Sequence, residues 1–529
     1  MRKVVIGAAG IVSALTLLSR FFGLLRKLAQ SWAMSDSLVA TAYDTANTVP
    51  NVLFEVAAGG ALAGAVIPVL SRYLAHPTHY MGDESESQQR LNRAASAMAT
   101  WVLLAGIPLA VIVAVAAAPI ISVVIPAADP SVHQLATNLL RVFAVQIPLY
   151  GLSVVFTGIS HTYQHFLLPA LCPLLSSCAV TATFIGYSLC TPTFIDPADL
   201  SWSQVALLGW GTTGGVVLFA LPQWIVVRRF VCLRPTLSFP EGAGRATIHL
   251  AGAGLAAIMA QQIAIVVMMV TANANGGTGA YAVWNYAFAV FLVPYAVLAV
   301  PIATVVFPRI ARCSDVQRMA ELTARSTRLI LIAGITAAGL LFALAKPAQV
   351  VIELGQPMLG LDTALRAMAP ALLGYCLLYH GARVCYAAHA PRRVVIANTI
   401  GWLSVVLGGL IVHIAHIHGR VPVLIGLGGA LSVGMTLGAA AMLWHLYRQL
   451  GKAALAGVAR LVTRVIPVVI VASVIAWWVS DQILTLAGST VTSAIMGAFA
   501  GALIIIGAAV LVLRRDRSAI SLLRGSAID

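Results

Sequence analysis

Charge is what this 529-residue chain has least of: Asp, Glu, Lys and Arg make up 9% of it, against 60% hydrophobic residues. Soluble domains carry about a quarter of their residues as charges, so a soluble globule is excluded. Acidic residues are scarcer still, 17 against 32 Lys and Arg. There is no P-loop, which excludes an ATP-driven pump on this chain alone. No long polar domain and no loop cluster of carboxylates is present, and a membrane-embedded sugar transferase or polymerase would need both. The seven cysteines (Cys172, Cys178, Cys190, Cys232, Cys313, Cys376 and Cys385) form no metal-type pair and imply no disulfide framework. His413, His416 and His418 in HIAHIHG have metal-like spacing. They sit at a helix end near an interface, where histidines are usually just wetted, so no metal and no cofactor is expected.

What the chain has instead is long apolar runs. A membrane span needs roughly 20 apolar residues, and about fourteen segments qualify. They lie near 4–31, 38–71, 94–119, 135–158, 166–189, 203–227, 246–270, 279–307, 327–345, 366–385, 394–415, 422–446, 460–479 and 490–513. An all-α polytopic membrane protein follows. The net charge of +15 reads as topology and not as nucleic-acid binding. With both termini cytoplasmic, the clusters Arg228/Arg229/Arg234/Arg245, Arg309/Arg312/Arg318, Arg392/Arg393, Arg448/Lys452/Arg460/Arg464 and Arg514/Arg515/Arg517 all fall on the inner side. Arg2 and Lys3 before an apolar run imitate a signal peptide, but the run continues into SRFFGLLRK and is expected to stay as a helix. Trp101, Trp202, Trp402, Trp477 and Trp478 read as interface anchors.

Against that background the first span stands out, because TLLSRFFGLLRKLAQSW carries Arg20, Arg26 and Lys27. A cation near the bilayer centre costs about 2.5–3.5 kcal/mol, so such residues usually face protein or a water-filled cavity. At 100° per residue Ser13, Thr16, Arg20, Gly23 and Lys27 form one stripe, with Ser19 and Arg26 beside it. The second span answers with Asp44, Asn47, Asn51 and Glu55 on one helix face. One reading is an ion-pair network that only clips the helices together. The other is a cavity for an anionic group such as a phosphate or diphosphate, because three cations face two carboxylates. Pro50 is expected to kink the second helix beside these charges, and Gly23, Gly60 and Gly64 are candidate hinge or packing positions. Gln261 and Gln262 are further cavity candidates.

The layout recurs after the midpoint. Residues 42–72 can be laid on 280–312, matching Ala42/Tyr43 to Ala280/Tyr281, Asn47 to Asn285, Pro68 to Pro308 and Arg72 to Arg312. A shift of about six spans implies parallel repeats, the plan of a transporter with its site near the midplane between lobes. The expected organisation is a six-helix lobe over 1–229, a cytoplasmic linker over 230–245, a second six-helix lobe over 246–450, two additional helices over 451–515 and a cytoplasmic tail over 516–529. The stretches 164–177 and 383–399 each mark a cytoplasmic hairpin, and 350–366 is expected to lie along the outer face.

Ser13, Ser19, Arg20, Gly23 and Arg26 in their spacing, then VPN at Val49–Asn51, Ile67-Pro68, HFLLPALCPLL and LVPYAVLAVPIATVVFPRIAR together resemble the MurJ/MviN family. These are lipid II flippases within the multidrug/oligosaccharidyl-lipid/polysaccharide exporter superfamily, and the resemblance covers essentially the whole chain. It implies a two-lobed bundle whose cationic cavity takes the head group of undecaprenyl-diphosphate-linked peptidoglycan precursor to the outer leaflet by alternating access. The lipid tail would follow a groove beside the two additional helices. It also implies a bacterial cytoplasmic-membrane location, with membrane lipids and the cell-wall synthesis machinery as neighbours. Arg20 and Arg26 take the place of the family's first-helix cavity arginines. The chain departs from the pattern at Phe54, Gly59 and Ala289, where charged residues are usual, and Lys27 is a candidate to restore one charge. A flippase for another polyprenyl-linked oligosaccharide, or a drug/cation antiporter of the same fold, are the competing readings.

Overall fold

The computed structural model describes residues 2–56, 63–74, 84–126, 129–252, 255–313, 315–354 and 356–515. Gly59 and Gly60 fall outside the described residues. Helices account for nearly all of what is described. In the first half they are α1 (Arg2–Met34), α2 (Leu38–Phe54), α3 (Ala63–Leu74), α4 (Glu84–Val115), α5 (Ala117–Val124), α6 (Pro130–Phe143), α7 (Gln146–Thr162), α8 (Leu167–Cys190), α9 (Trp202–Val227) and α10 (Ala243–Gly252). In the second half they are α11 (Leu255–Asn275), α12 (Ala280–Pro294), α13 (Val300–Ala311), α14 (Val316–Ala343), α15 (Ala345–Glu353), α16 (Leu361–Ala387), α17 (Pro391–Ile414), α18 (Arg420–Leu450), α19 (Val458–Ala487) and α20 (Val491–Arg515). Among the described residues twelve helices are long and apolar enough to cross a membrane, against about fourteen expected, and neither α1 nor the α2–α3 pair is one of the twelve.

The chain divides into two compact units, 1–262 and 263–529. The division falls inside α11, so α10 and the start of α11 go with the first unit. The internal repeat reads helix by helix. A long helix and a short continuation after one residue occur as α4–α5 and as α14–α15. α8 pairs with α9 as α17 pairs with α18, and α2 lies on α6 as α12 lies on α16. Even the irregularities repeat. Helix α2 passes through Pro50 and widens to π-type winding at Glu55–Val56, while α12 ends at Pro294 and runs through a π turn, Tyr295–Ala299, into α13. Prolines and π turns are the usual causes of such bends.

The region expected as a linker is not a loose one. Residues 230–238 run extended along α4, and α4 supplies the partners that a neighbouring strand would. Cys232, Arg234 and Thr236 donate their N–H groups to Asn92 Oδ1 (3.2 Å), Ser96 Oγ (3.0 Å) and Thr100 Oγ1 (3.1 Å). Gln88 donates to Phe230 O at 2.9 Å and Trp101 to Leu237 O at 3.1 Å. The registers agree because four helical residues advance about 6 Å and two extended residues advance about 6.6 Å. In the second unit α19 and α20 pack on each other and against α14 and α15, with Ala343, Ala472, Ala476 and Ile505 buried at their centre.

Ser96 is 2% exposed, so Ser96→Ala leaves the Arg234 N–H without its acceptor. We expect a loss of about 1–3 kcal/mol, read as a lower thermal midpoint of the purified protein. Gly374→Ala should cost at least as much, since a methyl there would run into the Met435 carbonyl on α18.

Candidate functional site

The three residues Ser35, Asp36 and Ser37 reverse the chain between α1 and α2. Ser35 holds a positive φ of 44°, and Ser37 caps α2 by accepting from the Ala40 N–H at 3.3 Å. In an antiparallel hairpin, residues equally far from the turn stand at one height. Lys27 and Asp44 are each about eight residues, or roughly 12 Å, from the turn. Their side chains meet, Lys27 Nζ lying 3.4 Å from Asp44 Oδ1, and Lys27 also donates to Gln30 Oε1 at 2.8 Å. Asp44 is 3% exposed. Its second oxygen, Oδ2, and Gln30 Nε2 are buried without a hydrogen-bond partner in the protein.

Around this pair the first unit assembles aromatic rings and hydroxyls. Tyr43 Oη shares a hydrogen bond with Thr212 Oγ1 on α9 at 2.9 Å. Its ring meets Phe143 and Phe184 edge-on at 5.6 and 5.4 Å. Phe54 stacks on Tyr150 of α7 at 4.8 Å, so one position where the family usually carries a charge holds half of an aromatic pair. Arg26 is half-buried, and its charge acts on Lys27, Tyr43 and Tyr150. Beside Phe54 a cavity of about 500 Å³ opens between α2, α4 and α7, lined mainly by apolar groups including Met98, Trp101 and Ile147.

Not all of the expected set gathers here. Arg20 is exposed, six residues before Arg26, about 9 Å along the axis. On α2, Asp44 meets the α1 stripe at Lys27. Asn51 donates to Asn47 O of its own helix at 2.8 Å, Asn47 is half-buried, and Glu55 is exposed at the π turn. Pro50 is buried within α2, and the departure from α geometry comes five residues later. A packing role for Gly23 is not what the structure shows: a side chain there would meet nothing within 4 Å. Gly64 stands in the first turn of α3. Gln262 is 5% exposed, and Ala289 is half-buried on α12. His416 and His418 stack at 5.9 Å, and no cluster of three metal-capable side chains occurs among the described residues. Sequence reasoning did not select Gln30 or Tyr150. Gln30 could have been found, since it lies one turn beyond Lys27, whereas Tyr150 reaches the site only through the packing of α7.

Compared with known proteins, residues 31–498 match the family described as "Lipid II flippase MurJ". The chain belongs to the MurJ family. A probable lipid II flippase MurJ from Synechocystis is 27% identical over 502 residues, covering 89% of this chain and 86% of that one. The lipid II flippase MurJ of Burkholderia cenocepacia is 28% identical over 212 residues, 39% of this chain and 37% of its own. Among solved structures, a lipid II flippase MurJ in an inward closed conformation superposes with a TM-score of 0.71 at 19% identity, over 95% of this chain and 99% of that one. An inward-facing multidrug transporter of the MATE family gives 0.65 at 14% identity over 83% of this chain and 98% of that one. At these identities the two structures establish the fold, an all-α membrane bundle that MurJ proteins share with MATE transporters.

Within this MurJ-family chain the Lys27–Asp44 pair should behave as a buried ion pair. Removing one partner, as in Lys27→Met or Asp44→Leu, is expected to cost about 3–5 kcal/mol, and the double variant should recover most of it. Thermal midpoints of the three purified variants test this. Additive losses would mean that the two side chains are not coupled.

Proposed function

We propose that this chain is a flippase that carries lipid II, the undecaprenyl-diphosphate-linked peptidoglycan precursor, from the inner to the outer leaflet for cell-wall synthesis. The observation that carries this reading is the match to the lipid II flippase family across residues 31–498. The first helix supports it chemically. A half-buried arginine in a membrane-embedded helix is a costly feature, and a diphosphate is the group that a guanidinium holds best.

In this account Arg26 is the principal phosphate ligand and Arg20 a first contact about 9 Å nearer the start of α1. Lys27 and Asp44 hold α1 against α2, while Asn47, Asn51 and Glu55 offer polar groups for the rest of the head group. Gly23, Pro50, Gly60 and Gly64 remain the proposed points of flexure. No bond is made or broken, so the protein acts as a transporter by alternating access, with residues 1–229 and 246–450 as the paired lobes, 230–245 connecting them and 451–515 additional. The positions of its basic clusters support a bacterial cytoplasmic membrane with both termini inside. The proposed partners are the lipid-linked substrate, membrane lipids and enzymes of cell-wall synthesis. A second reading, another polyprenyl-diphosphate glycan, rests on the departure at Phe54, which stacks on Tyr150 where the family usually carries a charge.

Complementation separates the readings. In a bacterium depleted of its own lipid II flippase, the wild-type chain should restore growth and surface labelling of lipid II. Arg26→Ala at matched membrane levels should lower the labelling by about ten- to a hundredfold, the equivalent of about 1.5–3 kcal/mol of charge-assisted hydrogen bonding. A well-expressed wild type giving no surface lipid II would remove this substrate and leave the second reading.

A further inference from the structure

The hairpins α7–α8 and α16–α17 are closed by the same backbone device. Gln164 and His389 hold positive φ values of 59° and 54°. In each turn the N–H of the following residue reaches back five positions, His165 to Ser160 O and Ala390 to Cys385 O, both at 2.8 Å. This is a Schellman closure that usually takes glycine, and a side chain in the left-handed region costs about 1–2 kcal/mol. The neighbouring helices end alike as well. Arg228 lies over Trp224 at 5.4 Å on α9, and Arg448 over Trp444 at 5.3 Å on α18.

One scaffold carries two different fillings. In the first unit the space against the turn is taken by rings. Tyr163 stacks on Phe230 at 4.9 Å, His165 lies tilted against the same ring at 4.7 Å, and Phe166 lies 5.1 Å from His161. In the second unit the matching space is a cavity of about 460 Å³ whose polar lining is His389, Arg392, Arg393, His445 and Arg448. No carboxylate lines it, and the chain has no Asp or Glu anywhere between Asp362 and Asp481. Arg393 is half-buried and donates to His445 O at 3.0 Å. The N-terminal turn of the 24-residue helix α17 forms one wall, adding the positive end of its dipole and backbone N–H groups. The first unit shows that the hairpin does not need this charge. Three guanidinium groups around one space repel one another until an anion enters.

We propose that this cavity is a second anion site, holding a phosphate mono- or diester between Arg392, Arg393 and Arg448. It is built wholly within the second unit and uses none of the α1 residues. Two sources share the chemistry. A phospholipid head group would let its acyl chain lie on the exposed apolar row Ile396, Ile400, Leu403 and Leu407 that starts at the cavity. A soluble phosphate compound would enter from the aqueous side.

The test uses the full-length protein purified in detergent. One arm titrates sodium pyrophosphate against sodium chloride at equal ionic strength. The other titrates phosphatidylglycerol against phosphatidylcholine, read by native mass spectrometry and by the thermal midpoint. At least one arm should respond, and Arg392→Gln/Arg448→Gln should weaken that response about tenfold. Arg392→Gln alone should weaken it at least threefold, which covers the case of a double variant that does not fold. The same titrations in an Arg26→Ala background remove any binding at the α1 site, so a response that persists there and is weakened by the Arg392 and Arg448 changes belongs to this cavity. A response to phosphatidylglycerol alone identifies a lipid head group, and one to pyrophosphate alone a soluble ligand. No response in either arm, or responses unchanged in the arginine variants, would overturn the proposal.

Discussion

Burying a full charge among apolar helices is the constraint on which the rest of the first unit depends. Lys27 can sit where it does because Asp44 stands 3.4 Å away, and Asp44 can do so because the Ser35–Ser37 turn sets both residues at one height. The pair thereby links α1, which packs on α8, to α2, which packs on α6 and α7. Tyr43, next to Asp44, then ties α2 to α9 through Thr212 and to α6 and α8 through its ring contacts. Arg26, next to Lys27 in sequence, is half-buried in the same region. In the function proposed above the ion pair positions α1, and the charge of Arg26 beside it is left for the ligand.

The second constraint is duplication. Two copies of one helical plan keep the same hairpin closures, the same π-type widening after the second helix and the same Trp–Arg stack at the last helix end. What the copies do with this plan differs. The first places three cations, Arg20, Arg26 and Lys27, within α1, whereas the second has Ala289 on α12 and lines a cavity at the α16–α17 turn with Arg392, Arg393 and Arg448. Shared backbone with divergent charge is how a repeat acquires distinct roles for its halves, since side chains at the turns can change without disturbing helix packing.

Much of the fold was legible because the membrane simplifies the code. Apolar length marks spans, so Arg20, Arg26, Lys27 and Asp44 stood out as exceptions within them, and the Tyr43 and Pro68 matches revealed the repeat. The extended segment 230–238 was not legible. Its partners Asn92, Ser96 and Thr100 do recur every four residues on α4, but what they bind is backbone, which carries no sequence signal. Nor was it legible that the Asn51 amide donates to the carbonyl one turn back on its own helix. The open space at Gly23 and the aromatic stack at Phe54 depend on neighbours distant in sequence, and only the folded chain supplies those.

The most direct measurement is translocation in a defined membrane. Purified wild type and Arg26→Ala, each shown to be folded, would be reconstituted into liposomes with lipid II, and the exposure of its head group to an impermeant reagent followed in time. The account predicts exposure with the wild type and exposure about ten- to a hundredfold slower with Arg26→Ala. Equal rates for the two proteins would contradict the claim that the half-buried arginine of the first helix holds the diphosphate.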